Sequence, residues 1–128
     1  MMGVLFFQVF MNTFKKGKTG EKSAENYLIG KGYSLIARNF KAHPGEVDLI
    51  MVDGADLVFI EVKAWKSLSF ADLEYSINRV KQHRIIATSQ IFMLQNPVLC
   101  KDKGVRYDVV HIDGEGNITH LKDAIGEY

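Results

Sequence analysis

The sequence predicts a mixed α/β domain in which one sheet is covered by helices. Apolar residues recur at helical spacing near the N-terminus, and three consecutive segments rich in branched and aromatic residues follow. A second, longer helical pattern precedes the last strands. A helix, a meander and a crossover helix into another strand are typical of such a sheet. The predicted order is α-β-β-β-α-β-β.

The first helix is predicted from Thr19 to Lys31. Ala24, Tyr27 and Leu28 recur there at helical spacing, and Gly32 is placed to end the helix. Three strands are predicted next, in the segments YSLIARNF, GEVDLIMV and DLVFIEVK. The dipeptide DG between the last two segments is a turn signal, so they are expected to form a hairpin.

The second helix is predicted from about Phe70 to Leu94, where the sequence NP stops it. The apolar positions that define its stripe are Leu73, Ile77, Val80, Ala87, Ile91 and Leu94. The segments VRYDVVHID and NITHL then alternate around the sequence GEG, which predicts a closing hairpin.

Composition limits the classes of protein that the chain fits. With 128 residues, 47% of them hydrophobic, we expect one domain over residues 18–128 and an apolar, then basic extension over residues 1–17. The formal charge of +1 excludes a protein that holds nucleic acid by overall positive charge. The single Cys100 has no disulfide partner, which favours a reducing, cytoplasmic setting. The apolar opening is far shorter than the ~20 residues of a membrane span, so no membrane partner is expected.

Four charged residues are predicted on one face of the hairpin formed by the second and third strands. Alternation places Glu61 and Lys63 together in one strand, and Glu46 and Asp48 together in the other. With residues 53–56 as the loop, Asp48 faces Glu61 and Glu46 faces Lys63. A tighter turn changes the partners but keeps the four side chains on one face, where Glu46 is expected to support the other three.

These charges favour hydrolysis of a phosphodiester with a divalent metal. Opposed carboxylates repel, so we expect a positive charge between Asp48 and Glu61. Two clustered carboxylates are hard oxygen ligands suited to Mg²⁺ or Mn²⁺. Lys63 can orient or help to deprotonate water and offset charge in the transition state. A plain salt bridge between Glu61 and Lys63 across the sheet edge is the alternative.

The first helix offers a third acid. At about 100° per residue, Glu21 lies beside Ala24 and Leu28 on the apolar stripe, whereas Glu25 is turned further from its centre. An acid on a buried stripe requires a cation, but a Glu near the start of a helix is also stabilised by the helix dipole. Both interpretations of Glu21 stay open from the residues alone.

Several strings of the sequence, taken in order, resemble one known family. They are GEKSAENYL, RNF, GEVDLI, VFIEVK, VKQHRI and RYDVV, and the likeness extends from about Lys18 to the C-terminus. The family is the bacterial YraN-like family, which is similar to Holliday-junction resolvases and belongs to the PD-(D/E)XK nuclease superfamily. The resemblance therefore implies a restriction-endonuclease-like fold.

The resemblance also implies roles for individual residues. Asp48, Glu61 and Lys63 match the catalytic triad of the superfamily, and Glu21 matches an additional acid from the first helix. Mg²⁺ or Mn²⁺ would then be held by Asp48, Glu61 and Glu21. Lys81 matches a family position and is expected to support the substrate or the active site.

Basic residues are expected to form a rim around this acidic pocket and to contact a phosphate backbone. They are Lys18, Lys22, Arg38, Lys41, Arg79 and Arg84. No residue indicates base readout, which favours DNA recognised by shape, as in a junction or a flap. We expect a nuclease acting on structured DNA, and a homodimer stays open. The alternatives are a non-catalytic nucleic-acid-binding or partner module on the same fold, and a purely structural interaction domain.

Overall fold

Residues 19–64 and 78–126 are described by the computed structural model of the chain. The helices are α1, whose described part covers residues 19–30, α2 (Arg79–Gln95) and the short α3 (Pro97–Cys100). The strands are β1 (Ser34–Ala42), β2 (Gly45–Asp53), β3 (Asp56–Ala64), β4 (Gly104–Ile112) and β5 (Ile118–Leu121). The order of elements agrees with the prediction, apart from α3, which was not predicted.

The five strands form one mixed sheet in the order β1-β2-β3-β4-β5. Neighbouring strands are antiparallel except for β3 and β4, which are parallel. Parallel neighbours need a crossover connection, and α2 lies between them in the chain. The β2–β3 register pairs Val52 with Leu57, as predicted, and the hairpin of β4 and β5 is also confirmed.

Side chains from the two faces of the sheet enter two separate cores. In β3, Leu57 and Phe59 pack in the core that includes α2, whereas Val58 and Ile60 pack in the core that includes α1. This alternation confirms that β3 is apolar on both faces until its end. The helices therefore flank the sheet. At the end of β3, Glu61 and Lys63 follow the last core residues, while Val62 and Ala64 still pack against the core that includes α1.

The C-terminus of α1 has a hydrogen-bonding pattern that is common at helix ends. Gly32 has a φ of 96°, and its N–H donates to the Ile29 carbonyl at 3.0 Å. The Tyr33 N–H donates to the Leu28 carbonyl at 3.0 Å. These two bonds form a Schellman motif, which needs a left-handed residue where Gly32 stands.

The predicted ranking of the two acids of α1 is wrong. Glu25 is only 2% exposed, whereas Glu21 is half-buried. Glu25 can be buried because the Arg38 guanidinium of β1 donates to both of its carboxylate oxygens, and Lys22 adds an ion pair at 3.2 Å. Because Arg38 of β1 supplies a positive charge, Glu25 can belong to the buried face of α1 although it is an acid.

The predicted start and buried face of α2 are also corrected. Asn78 is extended and caps the helix, with its side chain accepting from the Lys81 N–H at 2.9 Å, so α2 begins at Arg79. The predicted turns before it fall in residues 65–77, outside the described residues. Val80 and Leu94, predicted on the apolar stripe, are 59% and 81% exposed. Within the described ranges, no helix is long and apolar enough to span a membrane.

The buried face of α2 carries two hydroxyl groups, which hide it from a search for apolar spacing. Its buried residues are Ile85, Thr88, Ser89 and Phe92. Thr88 donates to the Arg84 carbonyl at 2.7 Å, and the Ser89 and Tyr107 hydroxyls are hydrogen-bonded at 2.6 Å. Because both hydroxyls have partners, their burial is tolerated.

Candidate active site

Asp48 and Glu61 lie where the ladder between β2 and β3 ends. The paired residues run from Asp53–Asp56 to Leu49–Ile60, and the two acids follow directly. Asp48 is partly buried and Glu61 is buried. The Val62 N–H donates to Asp48 Oδ2 at 2.8 Å, so this carboxyl side chain satisfies the first amide after Glu61.

The surroundings of Asp48 disfavour its negative charge. Burial raises the pKa of Asp48, and the Glu61 charge raises it further, with smaller contributions from Glu21 and Glu46. The hydrogen bond from the Val62 amide acts in the opposite direction. The resulting pKa of about 8 leaves the Asp48 carboxyl largely protonated at neutral pH.

Two lysines approach Glu61. Lys81 Nζ, from α2, lies 2.7 Å from Glu61 Oε1, and Lys63 Nζ lies 3.6 Å from the same oxygen. Burial lowers the pKa of Lys81, but its hydrogen bond to Glu61 and the nearby negative charges raise it above the ordinary value overall. Both lysines contact Glu61, so the expected positive charge is present at one of the two acids. The salt bridge of Glu61 with Lys63, which was the alternative interpretation, is present as well.

Two clefts open on this group of side chains, and Asp48, Glu61 and Lys81 line both of them. The larger cleft, of about 500 Å³, is also lined by Glu46 and by Arg84 of α2. The smaller cleft, of about 290 Å³, is also lined by Glu21, Val62, Lys63 and Ala64. The predicted catalytic and supporting residues therefore come together from α1, β2, β3 and α2.

Asn39 joins two of these acids and was missed as a site residue. Its amide nitrogen donates to Glu21 Oε2 at 2.9 Å and to Glu46 Oε1 at 3.3 Å. Its φ of 50° is left-handed, although it lies inside β1. Asn is among the few residues that tolerate this conformation, and the string RNF contains it. A polar Asn inside a strand pattern was the available signal.

The donors at this site fit a hard divalent cation in part. Asp48 and Glu61 supply carboxylate oxygens, and a cation between acids that repel each other would relieve the cost of charging Asp48. Among the described residues, no three His, Cys, Asp or Glu side chains are grouped closely enough to hold a metal ion. The three ligands implied by the resemblance, Asp48, Glu61 and Glu21, are therefore not grouped closely in the described structure. A cation held by Asp48 and Glu61 would take the rest of its shell from water or substrate, as Mg²⁺ usually does.

The predicted basic residues lie in different surroundings, and only some of them are near the clefts. Arg84 lines the larger cleft, and Arg79 is exposed in the first turn of the same helix. Lys22 and Arg38 form ion pairs with Glu25 instead, while keeping 61% and 55% of their side chains exposed. The exposed Lys41 pairs with Glu46 in the β1–β2 ladder. Lys18 lies outside the described residues.

A second acidic group lies elsewhere in the sheet. Asp108 of β4 is fully buried and accepts two hydrogen bonds from Arg106, at 2.9 and 3.1 Å. It is also bonded to His120 Nε2 at 2.7 Å and to the Asp123 amide at 3.0 Å. The sequence leaves its role open, and the contacts show that it joins β4 to β5 and to the turn that follows.

Comparison with known proteins places the chain in a family. The sequence profile described as "Uncharacterised protein family UPF0102" matches residues 20–112, which include every residue named above as lining the clefts. A UPF0102 protein of Persephonella marina is 38% identical over 114 residues, or 89% of this chain and 96% of the relative. One of Legionella pneumophila strain Corby is 40% identical over 114 residues, covering 88% and 95%. One of Thermodesulfovibrio yellowstonii is 39% identical over 116 residues, covering 89% and 98%. The chain belongs to the UPF0102, or YraN, family.

Proposed function

We propose that this protein is a divalent-metal-dependent nuclease with a restriction-endonuclease-like fold that hydrolyses phosphodiester bonds of structured or branched DNA. The observation that carries the proposal is the group of Asp48, Glu61 and Lys63 at the ends of two paired strands. None of these three charged side chains belongs to either hydrophobic core, so apolar packing does not explain their presence. The arrangement of three antiparallel strands, a helix and a parallel fourth strand supports the fold assignment.

In this proposal Asp48 and Glu61 hold Mg²⁺ or Mn²⁺ through their carboxylate oxygens. When bound, the cation supplies Lewis-acid polarisation of the phosphoryl group and activation of water. Lys63 is held by Glu61 on the wall of the smaller cleft, where its ammonium group offsets charge that develops on the phosphate. Glu61 therefore has two tasks, which are to bind the cation and to orient the lysine.

The cations of α2 provide contacts for the DNA backbone. Lys81 and Arg84 line the larger cleft beside the two acids, and Arg79 adds an exposed positive charge two residues before Lys81. Phosphate contacts of this kind position a substrate but carry no base sequence. The proposal therefore specifies a substrate recognised by its shape and backbone.

A cleavage panel tests the proposal. Linear, flap and four-way-junction DNA are incubated with purified protein, with and without Mn²⁺. We expect Mn²⁺-dependent cleavage by the wild type and at least a hundredfold loss in Asp48→Ala and Lys63→Ala proteins that remain folded by circular dichroism. Lys101→Ala, at an exposed lysine outside both clefts, is the matched control. Undiminished cleavage by both site variants would overturn the proposed mechanism.

One observation favours a second candidate, a non-catalytic nucleic-acid-binding module. Lys81 and Lys63 already neutralise Glu61, and Asp48 can remain protonated, so the group is compensated without a metal. This candidate predicts binding of branched or single-stranded DNA with no cleavage in any divalent metal. Cleavage by protein shown to be free of contaminating nucleases would exclude it.

A further inference from the structure

Asn39 holds an unusual backbone conformation next to the candidate metal site. Its left-handed φ of 50° interrupts β1, where an extended residue is the rule. In the β1–β2 ladder, Arg38 pairs with Leu49 and Phe40 pairs with Val47. Asn39 therefore lies across the ladder from Asp48. Conformations of this kind persist only where the surrounding contacts hold them, and they cluster at functional sites.

The side-chain amide of Asn39 donates one hydrogen bond to each of two neighbouring acids. An amide nitrogen carries two N–H donors, and one acid accepts from it at 2.9 Å (Glu21) while the other accepts at 3.3 Å (Glu46). Glu21 belongs to α1 and Glu46 to β2, so one neutral side chain joins two elements through carboxylates that would otherwise repel each other. The bonds also restrict where each carboxylate can lie.

The two acids held in this way both act on Asp48. Glu21 lines the smaller cleft with Asp48 and Glu61, and Glu46 lines the larger one. Both acids also contribute to the raised pKa of Asp48. The position of the Asn39 amide thus affects the negative charge that surrounds Asp48 from α1 and from the start of β2.

We infer that Asn39 is a positioning residue of the candidate metal site, and that its left-handed backbone and its amide together fix Glu21 and Glu46 beside Asp48. The inference rests on the proposed function, because it assigns Asn39 a role toward the cation of that site. Residues that hydrogen-bond to metal ligands typically change metal affinity ten- to a hundredfold when they are replaced. Asn39 acts one step further out, through Glu21 and Glu46, so the lower value is expected.

Two substitutions of Asn39 distinguish a role in positioning the acids from a role in the stability of the fold. Asn39→Gly removes the amide and adopts a positive φ freely, whereas Asn39→Ala removes the amide and strains the backbone. We expect the glycine variant to have the higher melting temperature of the two. Titration calorimetry of the full chain with Mn²⁺ should nevertheless show the same loss of affinity in both, about tenfold relative to the wild type.

A matched control loses the same kind of bond elsewhere. Asn117 donates to Asp113 Oδ2 at 3.0 Å in the β4–β5 turn, and Asn117→Ala should keep the wild-type affinity for Mn²⁺. If affinity instead follows melting temperature, so that Asn39→Gly binds like the wild type, the positioning role is overturned. An equal loss in Asn117→Ala would overturn it too.

The proposed function can fail separately from this inference. If the wild type binds Mn²⁺ and cleaves DNA while both Asn39 variants keep its affinity, only the role of Asn39 falls. If the wild type shows no heat of Mn²⁺ binding and no cleavage, the metal-dependent nuclease falls, and the role of Asn39 toward the cation falls with it.

Discussion

Asp48 of β2 and Asp108 of β4 are two aspartates in one sheet with opposite surroundings. Burial raises the pKa of Asp108, but hydrogen bonds from His120, Arg106 and the Asp123 amide lower it below the ordinary value overall. Within the described part of the chain, Asp48 accepts a hydrogen bond from the Val62 amide and faces other acids, and its pKa rises to about 8. The same sheet thus stabilises one carboxylate and opposes the charge on the other.

The difference separates a structural acid from a candidate functional one. The bonds of Asp108 to described residues tie it to β4, β5 and the turn that follows, which is what a purely structural buried charge requires. The group at Asp48 carries an electrostatic cost that folding does not require. Strongly perturbed acids beside a cleft mark candidate functional sites, and the clefts at Asp48 supply the access that Asp108 does not have.

The largest expected effect on stability comes from removing the carboxylate of Asp108. Asp108→Ala leaves His120, the Asp123 amide and Arg106 without their shared buried acceptor, so we expect a loss of roughly 3 kcal/mol in the free energy of unfolding. Arg106 keeps ion pairs with Asp53 and Asp56 at 3.0 and 3.2 Å, which limits the loss. Urea denaturation measures it. A loss below about 1 kcal/mol would mean that the Asp108 contacts do not hold the sheet together.

Removing the charge of Asp48 should change the stability of the fold in the opposite direction. Asp48→Asn keeps an acceptor for the Val62 amide and removes the charge, so we expect it to stabilise the fold by roughly 1–2 kcal/mol at pH 8. A carboxyl with a raised folded-state pKa contributes stability below its ordinary pKa of 3.8, and this is lost as pH rises to about 8. The gain from Asp48→Asn should therefore grow between about pH 4 and pH 8. A gain independent of pH, or a loss, would contradict the account.

A smaller effect is expected from the cation that accompanies Glu61. Lys81→Met removes the ammonium group 2.7 Å from Glu61 Oε1, which a divalent metal has to displace or tolerate. We expect Mn²⁺ affinity to rise a few-fold, about 1 kcal/mol, because the lysine is partly exposed. Calorimetry compares it with Arg84→Met, which removes a charge from the same cleft without an ion pair to Glu61. Equal gains in Mn²⁺ affinity in both variants would mean that Lys81 opposes the metal only by long-range charge repulsion and not through its ion pair with Glu61.

Part of the candidate site was predictable because side chains alternate between the two cores along β3, and along β2 from Leu49 to Val52. The pairing of Val52 with Leu57 followed from the loop, and it places Asp48 and Glu61 at the same end of the hairpin. These two acids stand beyond a long apolar run, so their position alone distinguished them.

Other features depend on partners that are distant in the sequence. The burial of Glu25 requires Arg38, and the buried face of α2 includes Ser89 because Tyr107 reaches its hydroxyl. The left-handed backbone of Asn39 shows only once α1 and β2 are in place around it. Helical spacing ranks residues by hydrophobicity and contains no information about such pairs.

The central claim is that Asp48, Glu61 and Lys63 form a metal-dependent nuclease site. The most direct test is the rate of cleavage of a four-way junction at fixed Mn²⁺ by the wild type and by folded Lys63→Ala protein. The account predicts cleavage by the wild type that requires Mn²⁺ and is at least a hundredfold slower in the variant. Equal rates for the two proteins, or no cleavage of any DNA by the wild type, would contradict it.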